Sequence, residues 1–157
     1  FLQKAYGWEW FKALRANDTI SEGGNSSVVR RVQTKERPVG WVLLESALRL
    51  QDTDKKIKVI YPDDGTIIQN NALAIVKKEA SRETAQKVTD WFFSAEGQEA
   101  MVRSYMYATV PGSPAPRGAP DLADLMKKSP KWDQATVDEF MKNRESVKEE
   151  FAKIMLQ

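Results

Sequence analysis

The chain has 157 residues, 41% hydrophobic and 29% charged, with 24 Lys and Arg against 22 Asp and Glu, which suits one globular domain or lobe with a sizeable core. No apolar run nears the roughly 20 residues needed to cross a bilayer, and the near-balanced charge lacks the basic stripe from which a nucleic-acid binder draws most of its affinity. With no cysteine and no histidine, disulfides, thiolate chemistry and zinc–thiolate sites are excluded along with the commonest metal ligand and general base, so any catalysis falls to carboxylates, Lys, Tyr or Ser.

In chain order, Leu2, Tyr6, Trp10, Ala13 and Leu14 recur at helical spacing and predict a helix over residues 2–16. Its Trp8, Trp10 and Phe11 could stack on a ligand, but the spacing favours burial. The opening Phe1-Leu2-Gln3-Lys4 carries neither an initiator Met nor a signal h-region, so a fragment or processed product is expected. A turn-rich stretch follows, and Asn25 is placed to cap a second helix with Val28, Val29 and Val32 inward and Pro38 stopping it. Val39-Gly40-Trp41-Val42-Leu43-Leu44 reads as a short buried strand, with a helix beginning at Glu45.

Lys56 to Tyr61 alternates like a strand and ends in a turn at Pro62-Asp63-Asp64-Gly65. Ala72 to Val76 is a third apolar run, followed by charged Lys77-Lys78-Glu79 and a Ser81 cap. The next helix puts Ala85, Val88, Trp91 and Phe92 on one face, and Ser94 caps another. Pro111, Pro114, Pro116 and Pro120 with Gly112 and Gly118 form a loop, after which Leu122 to Met155 carries two helical stretches. Strands interleaved with helices predict an α/β layer over residues 1–111, with 112–157 as a Pro-rich loop and helical tail packing on it.

Several pieces occur in an order that carries a resemblance. They are Gly24-Asn25-Ser26-Ser27-Val28-Val29, Pro38-Val39-Gly40-Trp41, Val59 to Thr66 with its Pro-x-Asp-Gly turn, Thr89 to Gln98 ending in Ser-x-Glu-Gly-Gln, and Tyr107 to Pro111. Over roughly the first 115 residues the chain resembles the C-terminal lobe of a type 2 periplasmic solute-binding protein, in the branch that includes iron(III)-, phosphonate- and organophosphate-binding components of ABC transporters. The resemblance implies an α/β lobe with a small mixed sheet flanked by helices, and a first lobe and signal that lie outside this chain. It also implies a non-enzymatic receptor, periplasmic or extracellular and membrane-anchored, that closes over a small solute and docks on a permease or membrane sensor. No cofactor and no metal is implied.

Within that frame, a helix opening at Asn25, Ser26 and Ser27 suits an anion, because backbone N–H groups, the positive end of the helix dipole and two hydroxyls meet there. Arg31, at the margin of the inward face, could add charge; the plainer reading is a capped surface helix with solvated arginines. Trp41, Glu45 and Ser46 stand at a junction where the family often places ligand contacts, though Trp41 is equally a core residue. Iron-binding members carry adjacent tyrosines at this junction, which suit a hard ferric ion, whereas this chain has Leu43-Leu44-Glu45-Ser46-Ala47. The expected solute is therefore an organic anion bearing phosphate or phosphonate, with Asp64 and Thr66 reaching its hydroxyls from the turn. The competing readings are a ferric-binding member, a hydrolase using Asp63, Asp64 or Glu45, and an interaction module presented by residues 121–157.

Overall fold

A computed structural model describes residues 1–77 and 81–156. The predicted charges at Lys78 and Glu79 lie outside the described residues. Among the described residues seven helices follow one another: α1 (Leu2–Ala16), α2 (Asn25–Gln33), α3 (Leu44–Thr53), α4 (Arg82–Phe92), α5 (Ala95–Arg103), α6 (Leu122–Lys128) and α7 (Gln134–Met155). None of them is long and apolar enough to cross a membrane.

Among the described residues there is no strand, and the expected α/β lobe with a small mixed sheet is corrected to an all-helical fold. The three apolar runs have strand-like composition, but a strand becomes stable only when its N–H and C=O groups pair with a neighbour. Here they run as irregular chain, with Val39 78% and Ile60 79% exposed. The stretch before α3 packs on α2 instead. A Cβ at Gly40 would lie 2.6 Å from Val28 Cγ1 and 2.8 Å from Val32 Cγ2, so the bare backbone at that position sits against the apolar face of the helix.

The chain divides into two compact units, one comprising Phe1–Gly24 with the segment from Lys131 onward, the other Asn25–Pro130. In the first, α1 packs along α7. Its centre is the buried Phe11, whose ring meets Trp10 (4.9 Å between centroids) and Phe151 (5.8 Å) edge-on; each such pair contributes about 0.5–1.5 kcal/mol beyond area burial. Of the aromatic residues of α1, Phe11 is buried, Trp8 and Trp10 are half-buried and Tyr6 is exposed. Gly7, at φ 70°, interrupts α1. Asp133 caps α7, accepting from the Thr136 N–H at 2.8 Å. The hydrogen bonds from Thr136 hold its carboxyl below the usual range.

In the second unit α2 packs on α3 and α4 on α5. Leu48 and Leu50 of α3 are buried, and Pro116 in the Pro-rich loop is fully buried. That loop is tied to α3 through Asp52, which accepts from the Tyr105 hydroxyl and from Arg117. Tyr107 Oη donates to Pro120 O at 2.6 Å.

Ser94 caps α5 as expected, its hydroxyl accepting from Gly97 N–H at 3.2 Å. Gly97 stands where a Cβ would be 2.2 Å from Trp91 O. Gln98 is only 4% exposed. Its amide donates to Phe92 O (2.8 Å) and accepts from Thr109 N (2.8 Å) and Thr109 Oγ1 (3.1 Å). The Ser-x-Glu-Gly-Gln stretch is therefore a structural clasp that turns α4 into α5 and holds the segment beyond. Ser81, by contrast, precedes α4 without a side-chain cap.

Candidate solute site

The opening of α2 is polar by composition, and the fold places it beside the opening of α3. Asn25 Oδ1 accepts from Leu43 N–H at 3.2 Å, and Leu43 is the residue that precedes α3, its carbonyl taking the first turn's N–H groups from Ser46 (3.0 Å) and Ala47 (3.2 Å). Two helix N-termini are thus joined by one side chain. Each leaves N–H groups without intrahelical acceptors and presents the positive end of its dipole. Asn25 and Ser26 are exposed and Ser27 half-buried, with no acidic residue in the first turn of α2. Glu45 stands in the first turn of α3 and offsets that helix's positive end. Trp41, 65% exposed, lies in the connecting stretch rather than in the core.

The structure therefore gathers Asn25, Ser26, Ser27, Trp41 and Glu45 around one junction. Arg31 is six residues further along α2, about 9 Å by helical rise. It is half-buried, with Nε 3.6 Å from Glu36 beyond the end of the helix.

Asp64 and Thr66 belong to a separate segment. Gly65 N–H donates to Pro62 O at 3.2 Å, closing the predicted turn. Gly65 has φ 113°, and a Cβ there would lie 2.2 Å from Lys128 O, so the turn seats directly on the end of α6. Lys128 approaches Asp63 at 3.9 Å, and Ser129 Oγ donates to Thr66 O at 2.7 Å. Asp63 and Asp64 are adjacent and exposed, an arrangement that does not flank one reacting bond from two sides as paired acids must.

Thr66 differs from its neighbours in one respect: its Oγ1 is buried and has no hydrogen-bond partner among the described residues. The same is true of Tyr61 Oη, five residues earlier. Burial pushes the Tyr61 phenol up from its ordinary value. Burial, with Tyr61 and Asp121 nearby, pushes Tyr107 up to about 12. Sequence reasoning placed Tyr61 only at the end of a strand, and its one signal was the adjoining Pro62 turn. Unpaired buried hydroxyls are uncommon in folded proteins and call for an explanation.

A family model described as bacterial extracellular solute-binding protein matches residues 2–137. No curated protein and no solved structure matches the chain.

Proposed function

The chain belongs to the bacterial extracellular solute-binding proteins, and from that premise we propose that it takes a small anionic solute bearing phosphate or phosphonate. The observation that carries this reading is the pair of buried, unpartnered hydroxyls at Tyr61 and Thr66, on either side of the Pro62–Gly65 turn. A hydroxyl buried without a partner costs about 1–3 kcal/mol, a cost that an oxyanion reaching either hydroxyl would offset by accepting from it. The raised Tyr61 phenol stays protonated through the neutral range, so it remains a donor. The joined N-termini of α2 and α3 offer further N–H groups and the Ser26 and Ser27 hydroxyls to the same class of ligand.

In this reading the receptor works outside the cytoplasm, anchored at the membrane. A second lobe of the same protein closes over the solute, and a permease of an ABC importer or a membrane sensor receives the closed form. Binding is the whole activity; no bond of the solute is broken.

Calorimetric titration with methylphosphonate and with inorganic phosphate tests the reading. A hydrogen bond to a charged group contributes about 1.5–3 kcal/mol, so Thr66→Val and Tyr61→Phe are each expected to weaken binding about tenfold or more. Unchanged affinity in both variants would overturn it.

A further inference from the structure

A groove of about 320 Å³ opens at the C-terminal end of α2, lined by Lys35, Arg37 and Lys56 together with Asp54, Pro38 and Ile57. Its volume lies within the range of small-molecule sites, which combine apolar walls with a few charged groups. Three cations face one carboxylate, and Asp54 already accepts from the Lys56 backbone N–H at 3.0 Å. The Lys35 and Lys56 side chains are exposed and make no hydrogen bond or ion pair among the described residues. Lys35 also holds φ 61°, a left-handed conformation at which glycine ordinarily ends a helix. A lysine kept in glycine's place puts a charge on the groove at the expense of backbone ease, the kind of outlier that clusters at functional positions.

We propose that this groove is a second anion site, taking an organic phosphate whose apolar part lies on Pro38 and Ile57 while its phosphate meets Lys35, Arg37 and Lys56. It is separate from the Tyr61–Thr66 turn that carries the solute reading, since neither residue lines the groove, and from the opening of the nine-residue α2, about 12 Å away along that helix. The probe is phenyl phosphate, compared with inorganic phosphate and phenol, followed by amide NMR on the whole chain.

Phenyl phosphate is expected to shift the amides of Lys35, Lys56 and Ile57, to bind more tightly than phosphate, and to weaken several-fold as salt rises from about 50 to 500 mM, because exposed charges are screened. Lys56→Ala and Lys35→Gly are each expected to weaken it about fivefold or more. The glycine variant also raises the unfolding temperature by relieving the backbone, which separates lost charge from lost fold. Thr66→Val leaves this titration unchanged. Equal binding of phenol, undiminished binding in both lysine variants, or loss on Thr66→Val would each overturn the assignment.

Discussion

The hydroxyl of Tyr61 illustrates how a single atom links packing to function. Because its Oη is buried and lacks a partner among the described residues, Tyr61→Phe removes a desolvated polar group without opening a large cavity. The variant is expected to be more stable than the parent by up to about 1–3 kcal/mol in the absence of solute, measured by urea unfolding, while its anion affinity falls. A destabilised phenylalanine variant would show that the hydroxyl already has a partner.

Asp52 is the opposite case. The hydrogen bond from Tyr105, followed by that from Arg117, holds its carboxyl below the ordinary 3.8. A depressed folded pKa gives stability that is present above the unfolded value and lost as pH falls through the folded one. Asp52→Asn is therefore expected to lower the unfolding temperature at pH 7, with the difference shrinking as the pH drops below about 3.8. Neither residue's role was legible in the sequence, since burial of Tyr61 and the meeting of residues 52, 105 and 117 depend on contacts between distant segments.

At the scale of elements, the local signals were the readable ones. The helical spacing of Leu2, Tyr6 and Trp10 located α1, and Ser94 located the start of α5, because both depend on neighbours within a turn or two. The interruption at Gly7 was not anticipated. The spacing of Val88 and Trp91 marked a helix correctly, yet both side chains remain exposed, as periodicity reports a face and not what covers it. Strand composition in Val39 to Leu44, Lys56 to Tyr61 and Ala72 to Val76 failed to predict structure for a related reason. Alternation marks a capacity to pair, and pairing is a property of two segments.

The clasp at Gln98 gives the sharpest test at this scale. Gln98→Ala leaves the part-buried Phe92 O and Thr109 N–H without this partner, an expected loss of about 1–3 kcal/mol. Chemical denaturation measures it directly, and a loss below about 0.5 kcal/mol would contradict the clasp. The family stretch Ser94 to Gln98 is thus conspicuous for its folding role, while the solute reading rests elsewhere.

For the molecule as a whole, the helices and the family match point in compatible directions, because solute binding needs presented donors more than it needs a given secondary structure. Far-UV circular dichroism is expected to show a helix-dominated spectrum, and a strong sheet contribution would contradict the fold. Part of the candidate site's placement was legible: Asn25, Ser26 and Ser27 do open a helix, and Asn25 carries the bond that joins it to the residue before α3. Arg31 lies along the helix beside Glu36, which spacing alone left undecided. The central claim is that the turn from Tyr61 to Thr66 receives an oxyanion. It is tested most directly by titrating methylphosphonate into the ¹⁵N-labelled chain. Saturable shifts at Tyr61 and Thr66 that vanish in a Tyr61→Phe, Thr66→Val double variant are predicted; millimolar methylphosphonate that leaves both amides unmoved would contradict the account.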